Sequence, residues 1–88
     1  AEKRNLLSRM TRDVKKRVSE LDKSLEKLRA RQEELTKKMN DVEFYKDSER
    51  FQAALKEFGI NKNRIESEEE EWIELSEELD EIEKSILE

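Results

Sequence analysis

The chain has 88 residues and a formal net charge of −5; 49% of its residues are charged, 33% are hydrophobic, and it contains one Gly and no Pro, Cys or His. Because several chain reversals require turn-forming residues, this composition excludes sandwiches, barrels and doubly wound sheets and is typical of long helices. The missing Cys and His also exclude thiol catalysis, Ser-His triads and the common zinc sites, so we expect no enzyme, no cofactor and no metal site in this segment.

The first half of the chain carries a heptad pattern, in which apolar residues recur at alternating steps of four and three. Nine of the eleven positions are apolar, so we predict a helix over about residues 3–42. The positions of this first stripe are Leu7, Thr11, Val14, Val18, Leu21, Leu25, Leu28, Gln32, Leu35, Met39 and Val42.

The pattern is interrupted at residues 43–50, where Asp47 and Ser48 are both favourable N-cap residues. We therefore expect a turn over about residues 43–47 and a second helix over about residues 48–87. The second helix carries a stripe of its own, in which nine of eleven positions are again apolar. The positions of this second stripe are Phe51, Ala54, Phe58, Asn61, Ile65, Glu68, Trp72, Leu75, Leu79, Ile82 and Ile86.

Neither helix can bury its apolar stripe alone, so we predict an all-α fold, an antiparallel two-helix coiled-coil hairpin formed by the whole chain as one domain. In an antiparallel pair the numbers of facing residues have a constant sum. A sum of 93 places Val42 opposite Phe51 and Leu21 opposite Trp72, with all four in the core. We expect a monomeric hairpin; the alternative is a dimer of two long helices that continue through the connecting segment.

The same register brings together Gln32 and Asn61, the only amides in the two stripes. A buried amide pair costs stability but penalises slipped registers, so we interpret these two residues as fixing the register. Glu68 falls opposite Leu25, and we expect its carboxylate to turn towards Arg29.

Charge is divided unequally between the two helices. The first 39 residues contain 13 Lys and Arg against 7 Asp and Glu, and the rest of the chain contains 6 against 17. This division favours the pairing of one basic with one acidic helix over the pairing of two like helices. We expect weak, salt-screened ion pairs between Arg17 and Glu78 and between Lys38 and Glu57.

Gly59 lies inside the second predicted helix, where Gly costs about 1 kcal/mol relative to Ala. Asn61 and Asn63 weaken the same segment. We expect a continuous helix with a soft or bent point at Gly59; the alternative is a break that divides the chain into three helices.

Three segments resemble the C-terminal coiled-coil domain of ABC-F ATPases, in particular the Uup-like branch. They are the charged, Leu-rich end of the first helix, KLRARQEELTKKMND, the turn Asp41-Val42-Glu43-Phe44-Tyr45, and the run Glu70-Glu71-Trp72-Ile73-Glu74-Leu75. The resemblance covers about residues 18–80. The chain departs from the family at Val42, where the turn usually carries a Pro after its Asp, and in the segment around Gly59.

The resemblance implies an accessory binding module at the carboxyl end of a cytoplasmic protein that has two ATP-binding cassettes and no transmembrane domain. In that family DNA binding is attributed to the Uup-like coiled coil, and ribosome-linked roles are attributed to other members. A chain with a single Gly has no glycine-rich phosphate loop, so we expect ATP hydrolysis only from the cassettes of the parent protein. Those cassettes are expected partners of this segment, and no membrane contact is expected.

The first candidate for a binding surface is a row of cations on the outermost heptad positions of the first helix. Such a row suits a phosphate backbone, with an affinity that falls as salt rises. The alternative is an ordinary solvated helix face. The row, here called the basic stripe, consists of Arg9, Lys16, Lys23 and Lys37, and Arg12, Lys15 and Arg17 widen it near the amino end.

The hairpin tip is the second candidate, because Phe44 and Tyr45 lie beside Lys46 and offer aromatic surface to bases or to a protein partner. The alternative is that both rings close the end of the core over Val42 and Phe51.

Met10, Ile60 and Ile73 lie outside both stripes and suggest a small apolar patch that docks the cassettes or a second copy of the chain.

Two functions are consistent with these candidate surfaces. One is a nucleic-acid-binding module that contacts DNA or ribosomal RNA through the first helix. The other is a structural or protein-docking hairpin that binds no nucleic acid.

Overall fold

In a computed structural model, which describes residues 2–87, the chain forms three helices: α1 (Glu2–Met39), α2 (Val42–Lys46) and α3 (Ser48–Leu87). Helices α1 and α3 lie side by side and antiparallel, and the molecule measures 64 × 16 × 14 Å. Because a 40-residue helix is about 60 Å long, the long dimension of the molecule is the length of one helix. The predicted all-α hairpin is confirmed. No helix within these residues is long and apolar enough to cross a membrane.

The core lies between α1 and α3 and is built from residues of the two predicted stripes. Leu21 and Leu35 are each 1% exposed, and Leu25, Leu28 and Ala54 are also buried. Because the outer faces of both helices are charged, this single row of apolar layers supplies the hydrophobic stabilisation of the hairpin.

Thr11 is a polar residue of the first stripe that is fully buried. Its hydroxyl donates a hydrogen bond of 2.7 Å to the carbonyl oxygen of Leu7, four residues earlier in α1. The hydroxyl is therefore satisfied within its own helix and needs no partner from α3.

The connection between the long helices is a short helix rather than the predicted turn. Helix α1 ends at Met39, and the Oδ1 atom of Asp41 accepts a hydrogen bond of 2.9 Å from the backbone N–H of Glu43, which caps α2. In the same way, Oδ1 of Asp47 accepts a hydrogen bond of 3.2 Å from the N–H of Arg50 at the start of α3. Two N-capping aspartates six residues apart thus start two helices in succession.

This arrangement removes Val42 from the core. The sequence predicts Val42 as the last residue of α1 and as the partner of Phe51, but Val42 begins α2 and is 66% exposed. Phe51 packs instead against Tyr45, with ring centroids 5.0 Å apart and the rings inclined at 71°. The prediction of a Val42–Phe51 layer is therefore wrong, because α1 ends three residues earlier than the heptad pattern indicates.

Gly59 does not interrupt α3, which runs without a break from Ser48 to Leu87. Its backbone has no positive φ, and a Cβ atom added at this position would meet nothing within 4 Å. The alternative of a helix break at Gly59 is therefore wrong, and the third helix of the chain lies at the connection instead.

The sequence predicts Glu78 as the partner of Arg17, whereas the structure pairs Arg17 with Glu71. The two glutamates are seven residues apart and occupy the same face of α3. A heptad pattern therefore identifies the flank on which an ion pair forms, but it does not identify which helical turn of α3 supplies the partner.

Glu57 shows the same displacement by one heptad. Its partner on α1 is Arg31, with 2.5 Å between Nε and Oε2, rather than the predicted Lys38. Lys38 pairs instead with Glu34 of its own helix, with 3.5 Å between Nζ and Oε1.

The expected contact between Glu68 and Arg29 is also wrong. Glu68 pairs with Arg64, one turn earlier on α3, with 3.4 Å between the nearest oxygen and nitrogen. Arg29 pairs with Glu69 at 2.7 Å. Local i,i+4 pairing satisfies the Glu68 carboxylate without a contact across the helix pair.

Trp72 is only partly buried, although the sequence predicts it as a core residue. Its side chain is 36% exposed and lines a groove together with Leu25 and Arg29 of α1. An indole is larger than the aliphatic side chains of the other layers, so part of the ring lies outside the core.

Candidate nucleic-acid interface

The basic stripe lies on the outer face of α1. Arg9, Lys16 and Lys23 are exposed and follow one another at seven-residue intervals, about 10 Å each. Within residues 2–87 none of the three forms an ion pair. Their charges are therefore available to an anionic ligand.

Lys37 lies on the same line but differs in two respects. Ala30 separates it from Lys23, and its Nζ lies 3.4 Å from Oε1 of Glu33, one turn earlier. The charge of Lys37 is therefore partly compensated, and the uncompensated part of the basic stripe ends at Lys23.

A second group of cations lies beside the stripe in the first four turns of α1. Arg4, Arg12 and Lys15 line one groove of about 330 Å³, to which the apolar side chain of Leu7 also contributes. Arg12 has one acidic neighbour, Asp13, with 3.9 Å between Nε and Oδ1. The predicted residues Arg12 and Lys15 are thus brought together, and Arg4 joins them.

Arg17 is directed towards α3 instead of the outer face. Its Nε and one terminal nitrogen donate hydrogen bonds of 2.6 and 2.9 Å to the two carboxylate oxygens of Glu71, and the other terminal nitrogen lies 3.3 Å from Glu20. These hydrogen bonds raise the pKa of Arg17 and lower the pKa of Glu71. Arg17 therefore links the helices, unlike the other predicted cations.

Arg31 makes the corresponding link nearer the tip. It donates hydrogen bonds of 2.5 and 2.8 Å to Glu57, and one of its terminal nitrogens lies 3.1 Å from Glu34. The hydrogen bonds from Arg31 lower the pKa values of Glu57 and Glu34. Acidic residues of α3 thus pair with Arg17 and Arg31 at the flank between the helices. Among residues 2–87 they form no ion pair with Arg9, Lys16 or Lys23 on the outer face of α1.

The tip residues combine packing with exposure. Phe44 is half-buried, whereas Tyr45 packs against Phe51 in a T-shaped arrangement and is still 63% exposed. The Nζ atom of Lys46 lies 3.5 Å from Oε1 of Glu43. The tip therefore offers one exposed aromatic ring, and the nearest lysine is already paired.

The two amides do not hydrogen-bond to each other among the described residues. Nε2 of Gln32 donates a hydrogen bond of 3.0 Å to the carbonyl oxygen of Phe58, and Nδ2 of Asn61 lies 3.5 Å from Oε2 of Glu57. The Oε1 atom of Gln32 is buried without a partner among residues 2–87. Gln32 thus contacts the backbone of α3 directly, which is a register-specific contact of a kind that the sequence does not predict.

A model of the ABC transporter C-terminal domain family matches residues 9–77, more than three quarters of the chain. The chain belongs to this family. Neither a curated protein nor a solved structure matches it at a significant level. The matched residues include Arg9, Lys16 and Lys23 and also the region around Trp72.

In this ABC transporter C-terminal domain the residue that sequence reasoning missed is Arg4. The heptad pattern could have identified Arg4, because Arg4 occupies the stripe position before Leu7. A cation is unfavourable in a core, so Arg at this position indicates that the core does not extend this far. At the open end of the hairpin this position is exposed, and Arg4 lies among the other cations. The α1 cationic face therefore consists of Arg4, Arg9, Arg12, Lys15, Lys16 and Lys23.

Proposed function

We propose that this domain is the C-terminal coiled-coil module of a cytoplasmic, Uup-like ABC-F ATPase and that it binds nucleic acid through the α1 cationic face. The observation that carries the proposal is the group of six exposed cations between Arg4 and Lys23 of α1, with Asp13 as the only acid within ion-pair distance of any of them among residues 2–87. ATP hydrolysis belongs to the cassettes of the parent protein.

The geometry of the face suits a charged backbone. Arg9, Lys16 and Lys23 form a line about 20 Å long, and Arg4, Arg12 and Lys15 widen that line at the open end of the hairpin. Duplex DNA carries one negative charge per about 1.7 Å of its axis, so a cationic line of this length faces several phosphates. Contacts of this kind bind without reading the sequence, because no base edge takes part.

The charge of α3 restricts how the nucleic acid can approach. Residues 66–71 contain five glutamates, and the carboxylates of Glu69 and Glu71 already accept hydrogen bonds from arginines of α1. The remaining acids repel phosphate. The ligand therefore lies along the outer face of α1, and Tyr45 at the tip is available for stacking on an unpaired base.

Fluorescence anisotropy with a labelled DNA duplex at low salt tests the proposal. We expect dissociation constants of about 1–100 µM for the wild type near physiological salt, as is usual for sequence-independent binding, and tighter binding at low salt. The variant Lys15→Glu/Lys16→Glu/Lys23→Glu should lose binding. The control Lys56→Glu/Lys62→Glu/Lys84→Glu makes the same charge change on exposed positions of α3 and should bind much more strongly than the α1 variant.

The proposal fails if the wild type does not bind at low salt or if the two variants lose binding equally. A duplex and a structured RNA of the same length, compared in the same titration, distinguish the DNA from the ribosomal RNA version of the proposal. ATP-binding cassettes immediately before Ala1 in the parent protein test the assignment to an ABC-F ATPase.

A second candidate function is a hairpin that docks protein and binds no nucleic acid. It is favoured by the exposure of Trp72 and Ile73 on α3. This function predicts a protein partner that stays bound at high salt, where phosphate contacts of α1 are screened.

A further inference from the structure

Two neighbouring apolar residues, Trp72 and Ile73, are exposed in the most acidic part of α3. Trp72 is 36% and Ile73 50% exposed. The segment from Glu66 to Glu71 supplies five carboxylates directly before them. Adjacent exposed apolar side chains in such a charged segment are unusual and indicate a contact surface.

The two side chains line a groove that spans both long helices, here called the Trp72 groove. Its volume is about 280 Å³. Leu25, which is itself buried, contributes an apolar surface from α1. The complete lining is Asp22, Leu25, Arg29, Glu69, Trp72 and Ile73.

A second, more open groove continues from the first along α3. It shares Ile73 and Glu69 with the Trp72 groove and is also lined by Glu66 and Glu70. Ile73 therefore lies between two adjoining depressions, and both have acidic borders.

The charges at the border determine what kind of ligand fits. Asp22, Glu66, Glu69 and Glu70 surround the apolar surface. The one cation of the lining, Arg29, donates a hydrogen bond of 2.7 Å to Glu69, so its charge is already compensated. The border as a whole is anionic and disfavours nucleic acid.

We propose that the Trp72 groove binds a basic segment of another protein, in which an aliphatic or aromatic side chain is flanked by Lys or Arg. The apolar side chain packs against the exposed Trp72 and Ile73, next to the buried Leu25. The flanking cations pair with the acidic border, and one of them approaches the face of the indole. This inference does not depend on nucleic-acid binding, because it concerns α3 and the opposite sign of charge.

The chain contains a single Trp, so the fluorescence of Trp72 reports directly on the groove. We would titrate the 88-residue chain with the capped peptide Lys-Lys-Leu-Leu-Lys-Lys and with a control peptide that has Ser in place of both Leu. The Leu peptide should change the Trp72 emission saturably. The Ser peptide should bind at least about fivefold more weakly than the Leu peptide.

Variants that retain Trp72 separate the apolar from the charged contribution. Ile73→Ser should weaken binding of the Leu peptide about fivefold or more, and Glu70→Lys should weaken it most at low salt. Ile60→Ser is the matched control, because Ile60 is equally exposed, at 52%, and lines neither groove; it should leave binding within about twofold. Circular dichroism verifies that each variant keeps its helix content.

Equal binding of the two peptides would show charge attraction alone and would overturn the proposal. Equal effects of Ile73→Ser and Ile60→Ser would overturn it as well. Self-association that is lost in Ile73→Ser, without binding of the Leu peptide, would assign the groove to a second copy of the chain instead.

Discussion

Arg17 and Glu71 join α1 to α3 through a bidentate ion pair, with hydrogen bonds of 2.6 and 2.9 Å. The same contact recurs between Arg31 and Glu57, fourteen residues later on α1 and fourteen residues earlier on α3. Equal steps in opposite directions are what an antiparallel pair of constant register requires. The two arginines therefore mark one flank of the hairpin over four turns of each helix.

The opposite flank carries the pair between Arg29 and Glu69. The residue numbers of the pairs sum to 88 on the first flank and to 98 on the second. The midpoint of these values is 93, the sum predicted from the apolar stripes alone. The ion pairs thus agree with the register of the core, although their individual partners differ from the predicted ones.

We predict that these pairs make stability depend on pH in the acidic range. Hydrogen bonds from Arg31 and Arg17 lower the pKa values of Glu57 and Glu71 below the ordinary 4.5. A lowered folded-state pKa stabilises the hairpin at pH values above 4.5, and this stabilisation is lost as the pH falls through the folded-state pKa. The melting temperature of Glu57→Gln/Glu71→Gln should lie below that of the wild type at pH 7, and the two should converge below pH 4.5.

The control for this measurement is Glu74→Gln/Glu78→Gln, which removes two exposed carboxylates that form no ion pair within residues 2–87. It should not lower the melting temperature at pH 7. A difference between wild type and Glu57→Gln/Glu71→Gln that is the same at pH 7 and at pH 3 would contradict the assigned pairs.

The substitution Gly59→Ala should stabilise the hairpin by about 0.5–1 kcal/mol, because Ala has the higher helix propensity and its Cβ meets nothing within 4 Å. Urea unfolding followed by circular dichroism measures the effect. The reverse change at an exposed position of the same helix, Ala53→Gly, should destabilise by a similar amount. A loss of stability in Gly59→Ala would show that the backbone at this position is not ordinary helix.

Leu21→Ala and Leu35→Ala should each cost about 2–5 kcal/mol, because both side chains are almost completely buried and their removal leaves a cavity. Leu55→Ala is the comparison, since Leu55 is an exposed leucine of α3, and we expect a much smaller cost. Equal costs at the three positions in urea unfolding would contradict the assignment of the core.

Sedimentation equilibrium should show a monomer for the wild type. Gln32 donates to the backbone of Phe58 in the hairpin, and its Oε1 is left without a partner among the described residues. Gln32→Leu/Asn61→Leu removes the polar layer, so it should raise the melting temperature and also allow slipped or dimeric forms. A dimeric wild type would contradict this role of the two amides, and so would a double variant that stays monomeric at every concentration and unfolds from a single register.

The sequence predicts the core well because burial follows from periodicity. Leu21, Leu28 and Leu35 are seven residues apart, and a charged chain has no other place to bury them. The start of α3 was also predictable from Asp47 and Ser48. These features depend on a helix repeat that the sequence expresses many times.

The connection and the candidate site were less predictable, because they depend on single contacts. The side chain of Asp41 accepts a hydrogen bond from the N–H of Glu43 and caps α2, so α1 ends before Val42. A heptad pattern contains no information on whether a side chain caps a new helix or the first helix continues. Within the candidate site, the exposure of the basic stripe was predictable, because it follows from the heptad positions of its residues. The participation of Arg17 in an ion pair with α3 depends on which turn of α3 lies opposite, and seven-residue periodicity cannot distinguish one turn from the next.

The salt dependence of DNA binding tests the central proposal most directly. If the α1 cationic face contacts about four to six phosphates, the logarithm of the association constant should fall with the logarithm of the salt concentration with a slope of about −4 to −5. In Lys15→Glu/Lys16→Glu/Lys23→Glu this slope should become much shallower or binding should disappear. Binding of the wild type that does not depend on salt, or a slope that this variant leaves unchanged, would contradict the proposal.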